Sequence, residues 1–542
     1  MKERVRQCAA LLLAGTMAAG MLAGCGGDNG GSGKDGKTTA DGKVKLTALF
    51  SKHSLTQDVN DMQWLKELEE KCNVEIEWEQ ISADWDQKKS AMFASGNIPD
   101  LIFKGTAESD YVQYKGLFED MSPLIEEHAP NIQAMFSDHP EIKQLATTTS
   151  GEIYGIPSYK SVWPYSTASM FINKQWLDNL GLEVPTNWDE LEQVLLAFKN
   201  EDANGNGDTT DEIPMDFNIF NWEYSPKILL GSLGIQLTNN ATDGYFAEDG
   251  KIKSYFTDDR FKTLLEFLQK LNSEGLISKE AFTQDYSKYQ SVARGSGKEA
   301  KVGFTWGWES GDRFGNEIKD QYITMKPLAY SADSDYDLKF INDKYYQNYQ
   351  PNAVAMSANC KNKEAAMKFI DAFYNPEESI QVLWGGMNDT DKGIKKNDDG
   401  SYEVLPPADS SLDPGSWKWT KTFADNGPYY IKDGMNITLG EDMRTVTEEK
   451  QVYEEYWDKV DPKSNEYPQT FMKYSEEDTN TLAMNQANII NIFEQQTASW
   501  VTGKGDIDKE WGAYVESLNS AGMIQNLEIR QKAYDDYLKS LK

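Results

Sequence analysis

Strand and helix patterns alternate over the first part of the chain that carries hydrophobic periodicity. Apolar and polar residues alternate from Val44 and again over Val74–Glu79, so both segments are predicted as strands. The 61–72 segment between them places its apolar residues on one helical face. A second predicted helix spans 84–95, and Leu101–Phe103 follows as a third strand. This β-α-β-α-β order predicts a parallel sheet covered by helices.

The carboxyl ends of such strands are where α/β sheets bind their ligands. Here they are the loops Ser51–Leu55 and Lys104–Asp110, which we expect to face the binding site. Further along the chain, strands are predicted at 169–173 and 301–308, helices at 187–198, 258–273 and 362–374, and a mainly helical region after 452. The pattern therefore predicts an α/β protein of at least two lobes with a helical tail.

The first 24 residues have the features of a secretory signal. Three basic residues precede an uncharged stretch, 9–22, that is too short to span a bilayer comfortably. The ending Leu22-Ala23-Gly24-Cys25 resembles the bacterial lipoprotein signal, in which the cysteine is lipidated and becomes the new N-terminus. The alternatives are an ordinary cleaved signal and an uncleaved helix. Residues 25–43 would then be the lipidated cysteine and a glycine-rich flexible tether.

Charge and residue usage exclude several classes of function. With 87 acidic and 54 basic residues the net charge is −33, which disfavours nucleic acids and anionic headgroups as partners. Only three histidines are present, and no nucleophile elbow or zinc-ligand spacing occurs, so hydrolysis by a triad is not expected. Beyond Cys8 and Cys25, Cys72 and Cys360 form either one disulfide or two buried thiols.

The segment 202–212 has the composition of a calcium loop. Oxygen-bearing side chains stand at its first, third and fifth positions and a glycine at the sixth, as Ca²⁺ loops require. It departs from the EF-hand because no glutamate stands at position 12, and the alternative is a solvated Asn-Gly turn. We expect a structural calcium ion here. The candidate ligands are Asp202, Asn204, Asn206, Asp208, Asp211 and Glu212.

Short aromatic clusters beside polar residues indicate a sugar-binding site. Aromatic residues make up 12% of the chain, and flat rings cover the apolar faces of sugars while polar side chains bind the hydroxyls. The alternative for any single tryptophan at strand spacing is a place in the core. The candidate ligand-binding residues are Trp163, Tyr165, Trp222, Tyr224, Trp306, Trp308, Glu309, Arg313, Trp417 and Trp419.

Several short segments together resemble one family. The segment 94–102 is similar to the helix, Gly, Pro-Asp, strand element of the family 1 extracellular solute-binding proteins, which serve ABC importers. Segments matching this family at 151–157, 176–182, 185–188, 274–277, 493–503 and 511–514 follow in the family's order. The resemblance extends from Val44 to about Tyr537. In length and tail the chain is similar to the large oligosaccharide-binding members, including the alginate-binding proteins, whose calcium loop also ends in an acidic pair before Ile-Pro.

The resemblance implies a fold, a function and a location. The fold would be a two-lobed, type II periplasmic-binding-protein-like clamp with several hinge crossings and a mainly helical C-terminal region. One lobe would hold 44–168 and 300–348, and the other 169–299 and 349–542. The protein would capture an oligosaccharide and deliver it to an ABC permease, as a monomer without enzymatic activity, lipid-anchored on the outer face of the membrane. The rivals are a secreted glycoside hydrolase or lyase, a surface adhesion protein, and a binding protein for a peptide or other solute.

Overall fold

The structure is a computed structural model that describes residues 38–39, 42–218, 223–238, 241–295, 297–387, 392–408 and 414–541. Cys25, the signal and most of the predicted tether lie outside these residues, as does Trp222. None of the described helices is both long and apolar enough to cross a bilayer.

The strands of the described residues are short, and most are buried. In chain order they are β1 (Val44–Ser51), β2 (Val74–Ile81), β3 (Leu101–Phe103), β4 (Gly155–Lys160), β5 (Ser169–Asn173), β6 (Ile213–Met215), β7 (Tyr245–Glu248), β8 (Lys251–Ser254), β9 (Val302–Gly307), β10 (Tyr322–Thr324), β11 (Tyr349–Met356), β12 (Ile394–Lys396), β13 (Tyr402–Val404), β14 (Tyr430–Ile431) and β15 (Ile437–Thr438).

The α-helices cover the sheets and form the end of the chain. They are α1 (Gln63–Lys71), α2 (Trp85–Ser95), α3 (Glu108–Gln113), α4 (Ser122–His128), α5 (Pro130–Asp138), α6 (Pro140–Ala146), α7 (Lys174–Leu180), α8 (Trp188–Asn200), α9 (Asp259–Ser273), α10 (Tyr286–Arg294), α11 (Ser310–Phe314), α12 (Lys344–Asn348), α13 (Lys363–Phe373), α14 (Pro376–Trp384), α15 (Pro414–Lys421), α16 (Glu441–Lys450), α17 (Glu454–Trp457), α18 (Glu476–Val501), α19 (Ile507–Ser520) and α20 (Met523–Ser540).

Local sequence signals account for some of these boundaries. The Asn187 side chain accepts a hydrogen bond from the Glu190 N–H at 3.0 Å and so caps α8. Gly96 ends α2 with a φ of 72°, which a residue without a Cβ adopts at little cost. The predicted β-α-β-α-β order is confirmed, since β1 pairs in parallel with both β2 and β3.

Two main sheets form the cores of two lobes. The first has the strand order β14-β4-β11-β3-β1-β2 and the second the order β10-β5-β9-β6. The chain passes from the first sheet to the second after β4, and returns after β10. Near the C-terminus α18, α19 and α20 pack against one another, with α18 and α19 also against α9. The expected two-lobed α/β fold with several crossings and a helical end is confirmed.

The strand pairing corrects the expected lobe boundaries at two places. β9 was assigned to the first lobe within 300–348, but it pairs with β5 and β6 in the second sheet. β11 was assigned to the second lobe within 349–542, but it pairs with β3 and β4 in the first sheet. Both pairings join segments far apart in the chain, which hydrophobic periodicity does not register. The remaining boundaries stay predictions.

A buried carboxylate joins the two segments that cross between the lobes. The Asp343 carboxylate accepts hydrogen bonds from the Thr167 N–H at 2.9 Å and from the Thr167 hydroxyl at 2.8 Å. The Asp343 N–H in turn donates to the Tyr165 carbonyl at 2.6 Å. Both Asp343 and Thr167 are buried. This interaction fixes the spacing of the crossing segments at the hinge.

Cys72 and Cys360 are free thiols in the structure, so of the two alternatives the unpaired one is observed. Burial raises the pKa of the Cys72 thiol to about 11 and that of Cys360 to about 12. Both are therefore unreactive at neutral pH.

We expect Asp343→Ala to lower the free energy of unfolding by about 3 kcal/mol, because it leaves buried hydrogen-bond donors without an acceptor. Urea denaturation measures the change. The matched control is Asp335→Ala in the same crossing segment, whose exposed side chain should contribute less than about 0.5 kcal/mol. Equal losses in the two variants would contradict the assigned role.

Candidate functional site

A cavity of about 700 Å³ opens where loops from both sheets meet. The Ser51–Leu55 loop after β1 contributes, as predicted, whereas the Lys104–Asp110 loop lies outside the lining. The segments after β4 and β9 contribute as well, so strand carboxyl ends surround the cavity. Its lining is His53, Leu55, Lys160, Trp163, Thr167, Glu223, Tyr224, Tyr286, Trp308, Glu309, Asp312, Tyr346, Gln347, Gln350, Lys418, Trp419, Asp425 and Met443.

Trp308 stands directly after β9 and is held from behind by a buried lysine. The Lys450 ammonium lies 4.6 Å from the centre of the Trp308 ring and donates to the Trp308 carbonyl and, at 3.0 Å, to the Ser169 hydroxyl. Burial lowers the pKa of Lys450 to about 8, against the charges of Glu449 and Glu309. One ring face is thus fixed by a cation, which orients the indole toward the cavity.

Glu309 caps the short helix α11 at the edge of the cavity. Its carboxylate accepts hydrogen bonds from the Gly311 N–H at 2.6 Å and from the Asp312 N–H. Burial raises the pKa of Glu309 to about 7, and the nearby Glu449 carboxylate adds to the shift while the backbone bonds oppose it. A carboxylate of this kind is close to its midpoint of ionisation at neutral pH.

The first-lobe wall carries positive charge. Lys160 pairs with Asp425 and lies 4.0 Å from the centre of the Trp163 ring, and Lys418 lies 3.8 Å from Asp425. Burial lowers the pKa of Lys160 to about 8, and Asp425 opposes the shift. Burial alone would raise the pKa of Asp425, but the two lysines outweigh it and lower that pKa to about 2.

The opposite wall carries negative charge and aromatic rings. Asp312 accepts hydrogen bonds from the Tyr286 hydroxyl at 3.2 Å and the Gln290 amide at 2.9 Å. The Tyr224 and Tyr286 rings lie 6.2 Å apart on the same side. Glu223 and Glu309 add two further carboxyl groups to this wall. The cavity therefore offers ammonium donors on one side and carboxylate acceptors on the other, with aromatic faces on both.

Five of the predicted ligand-binding residues line the cavity, and four described ones do not. The five are Trp163, Tyr224, Trp308, Glu309 and Trp419.

Trp306 and Arg313 were expected in the cleft, but both are fully buried beneath it. Trp306 packs against Phe304 with ring centres 4.8 Å apart. The Arg313 guanidinium bonds to the buried Asp216 carboxylate and the Thr305 hydroxyl, each at 3.0 Å. These residues belong to the core and do not line the cavity.

Tyr165 and Trp417 also lie elsewhere. The Tyr165 ring packs against Trp457 at 5.7 Å and lies beneath the Lys344 ammonium at 5.2 Å. Trp417 lines a second, smaller cavity. Trp222, the remaining aromatic candidate, lies outside the described residues.

Sequence reasoning missed the isolated lining residues. His53, Tyr286 and Gln350 do not stand in short aromatic clusters, and Tyr346 stands in one, beside Tyr345, that was not singled out; only the fold brings the four together. The ring of His53 lies 4.4 Å from that of Trp419, and burial lowers the pKa of His53, so it is neutral at pH 7. The position of His53 after β1 was the one available signal, through the rule on strand carboxyl ends.

The 202–212 loop turns its oxygen atoms inward. The Asp202 carboxylate accepts a hydrogen bond from the Gly207 N–H at 2.9 Å, and Glu212 accepts one from the Ala203 N–H at 3.1 Å. One further oxygen of Asp202 and one of Glu212 are buried without a hydrogen-bond partner. Asp208 instead points outward and accepts from the Thr210 N–H at 3.0 Å and the Thr210 hydroxyl at 2.6 Å.

Among the described residues no group of three or more His, Cys, Asp or Glu side chains is arranged as a metal site. In this loop asparagines stand among the acidic residues. Asn204 and Asn206 both donate to Asp211, at 3.1 Å each. The two orphaned carboxylate oxygens fit a cation, since burial without a partner is costly for such atoms.

Comparison with known proteins identifies the family. The sequence profile of the family described as bacterial extracellular solute-binding protein matches residues 52–380. A fructooligosaccharide ABC transporter substrate-binding protein of Streptococcus pneumoniae, FusA, is 31% identical over 557 aligned residues, which cover 99% of this chain and 99% of that protein.

Solved structures show the same fold. An HMO-binding ABC-transporter-associated solute-binding protein from Bifidobacterium longum infantis has 34% identity and a TM-score of 0.84, covering 92% of this chain and all of that one. An EF-hand mutant of FusA from S. pneumoniae in complex with fructo-nystose has 28% identity and a TM-score of 0.80, with the same coverage. The profile match and the full-length relative together show that this chain belongs to the bacterial extracellular solute-binding proteins.

Proposed function

We propose that this protein is the substrate-binding component of an ABC importer and captures an oligosaccharide between its two lobes. The observation that carries the proposal is the cavity, in which aromatic faces stand beside unlike charges on opposite walls. Two similar proteins described above, one for fructooligosaccharide and one that binds HMO, support an oligosaccharide as the ligand.

The walls supply what a neutral glycan needs. Sugar rings stack their C–H faces on Trp308, Trp419 and Tyr224, while their hydroxyls donate to the carboxylates of the second lobe. The ammonium groups of Lys160 and Lys418 donate to ring and hydroxyl oxygens from the other side. Closure about the hinge would bring both walls onto the ligand, and the permease would recognise the closed form.

We also propose that Cys25 is lipidated and anchors the protein on the outer face of the cell membrane, where it works as a monomer. The family is extracellular, and the lipoprotein-like ending Leu22–Cys25 supports the anchor. The tether through residue 43 would keep the clamp near its permease, which suits a protein that delivers a ligand and does not consume it.

Binding without catalysis fits the use of the buried carboxylates. Glu309 and Glu449 both accept hydrogen bonds from backbone N–H groups at the start of α11. Two carboxyl groups engaged as helix caps are poorly placed to act as the acid and nucleophile of a glycosidase. If the protein were a glycoside hydrolase, it would release cleaved sugars, whereas a binding protein would leave the glycan intact.

A glycan panel screened by thermal shift, followed by titration calorimetry of the hits, tests the proposed function. We expect at least one oligosaccharide to raise the melting temperature and to bind unchanged, with no cleavage products by chromatography. If no oligosaccharide in the panel binds, or if the bound glycan is cleaved, the proposal is wrong.

We expect Trp308→Ala to weaken binding of that oligosaccharide roughly thirtyfold, because it removes a stacking face that Lys450 holds in place. Titration calorimetry measures the loss. Tyr336→Ala is the control, since it truncates an aromatic ring that is 46% exposed and absent from the cavity lining. Unchanged affinity in the Trp308 variant would remove this residue from the binding site.

We expect Glu309→Gln to increase stability and decrease affinity. The pKa of Glu309 is raised from 4.5 to about 7, so the folded protein holds a proton that the unfolded chain releases. The resulting stabilisation is present below pH 4.5 and is lost as the pH rises to about 7. At pH 8 the glutamine variant should therefore be more stable, by at most about 3 kcal/mol.

The same variant should bind the oligosaccharide more weakly at pH 8, since it loses an ionised acceptor for sugar hydroxyls. Urea denaturation at pH 5 and pH 8, together with calorimetric titration, measures both effects. A variant that is less stable than the wild type at pH 8 would contradict the cost assigned to the ionised carboxyl group.

We further propose that the 202–212 loop binds a structural calcium ion. Asp202 and Glu212 would hold it through their orphaned oxygens, with Asn204, Asn206 and Asp211 beside them, while Asp208 is excluded by its bonds to Thr210. An EF-hand is named in the FusA mutant of similar fold, which supports the proposal. The ion would supply charge balance among the acidic side chains of the loop.

A chelator should lower the melting temperature of the wild type, because an ion at 100 times its dissociation constant stabilises the fold by about 2.7 kcal/mol. Asp202→Asn should abolish this response, whereas the matched Asp208→Asn variant should keep it. Calorimetric scans with and without calcium measure the response. A wild-type melt indifferent to calcium and chelator would remove the metal from the proposal.

A further inference from the structure

A second cavity, of about 190 Å³, lies beside the cleft at the small sheet of β12, β13 and β15. It is more enclosed than the cleft and lies between this sheet and the helices α15 and α16. Its lining is Trp384, Glu403, Val404, Leu405, Pro406, Pro407, Trp417, Lys418, Thr438, Leu439, Gly440, Glu441 and Arg444.

The second cavity adjoins the cleft along two helices. Lys418 on α15 lines both cavities, with Trp417 on one side of it and Trp419 on the other. On α16, Met443 lines the cleft and Arg444 the second cavity. The two cavities are therefore neighbours that share the Lys418 side chain.

One charged group of the second cavity, Arg444, is available to a ligand. Within the part of the chain that the structure describes, the Arg444 guanidinium has no ion-pair or hydrogen-bond partner, although the protein is strongly acidic. The Glu441 side chain is exposed, and the half-buried Glu403 carboxylate lies 3.4 Å from the Lys395 ammonium. An unpaired guanidinium beside carboxylates provides both donors and acceptors at short range.

The apolar lining of the second cavity has the form of a sugar platform. The half-buried Trp417 lines the cavity together with the apolar residues Trp384, Leu405, Pro406, Pro407 and Leu439. The Trp417 ring, with a guanidinium and carboxylates among the lining residues, matches the apolar face and hydroxyl rim of one sugar unit. The volume is about a quarter of that of the cleft, which suits one unit where the cleft takes several.

We propose that the second cavity is an additional subsite that takes one terminal sugar unit of the bound oligosaccharide. The proposal rests on the proposed function. The glycan chain runs from the cleft past Lys418, with its last ring on Trp417 and its hydroxyls bonded to Arg444 and Glu403. Chains long enough to reach this subsite bind more tightly than shorter ones, and the protein selects its ligands by length.

The test compares chain lengths in two variants. Fructo-oligosaccharides and galacto-oligosaccharides, each as tri-, tetra- and pentasaccharide, are titrated into the full mature chain by calorimetry. In the wild type we expect one added unit to raise affinity roughly tenfold, the size of one well-made set of contacts. Trp417→Ala and Arg444→Gln should lose this gain while binding the shorter chain as the wild type does.

Two controls separate this inference from the proposed function. Trp308→Ala should weaken binding of every chain length, and Glu448→Gln, an exposed charge on α16 outside both linings, should weaken none. If both second-cavity variants keep the full gain, or if the wild type shows no gain with length, the subsite is wrong and oligosaccharide capture stands. If no oligosaccharide of either series binds the wild type, both the subsite and these glycans as ligands are overturned.

Discussion

The cleft depends on the direction in which the strands of two sheets run. β1 and β4 end toward it in the first lobe and β9 ends toward it in the second, so the loop after each strand reaches the same space. The chain must then cross between lobes without losing this alignment. The Asp343 carboxylate, which binds two donors of Thr167, holds the crossing segments together at that point. Because Lys160 and Lys418 lie on one wall and the carboxylates on the other, the segments that join the two lobes must keep the walls facing each other.

The cleft contains buried positive charges although the protein as a whole is strongly acidic. In a chain of net charge −33, the buried Lys160 and Lys450 lie beneath aromatic residues of opposite walls. Burying an ammonium group costs free energy, and burial lowers the pKa of both lysines. Lys160 lies against the Trp163 ring and Lys450 against the Trp308 ring, and each lysine orients its ring. The cations therefore act on the ligand partly through the tryptophans, because a ring fixed on one face presents a rigid platform on the other.

Sequence patterns predicted the elements of the fold better than the residues of the site. Periodicity and caps predicted β1, β2, α8 and β9 because those signals are local. The places of β9 and β11 in the sheets depend on pairings between distant segments, and the expected lobes were wrong there. At the site, equal spacing predicted Trp306 and Trp308 on one face. β9 ends at Gly307, so Trp306 lies within the buried strand, whereas Trp308 lies beyond its end and lines the cavity.

The same limit explains why the second cavity is visible only in the fold. Trp417 and Trp419 form one cluster in the sequence, but Lys418 between them separates two spaces, and Arg444 joins from another helix. Aromatic clusters in the sequence do not indicate which cavity each aromatic side chain lines. A charge such as Arg444, which has no partner among the described residues, becomes informative only after its neighbours have been placed. In the proposed subsite, the length of the bound glycan depends on α15 and α16. Each of these helices places one side chain in the cleft and a neighbouring one in the second cavity.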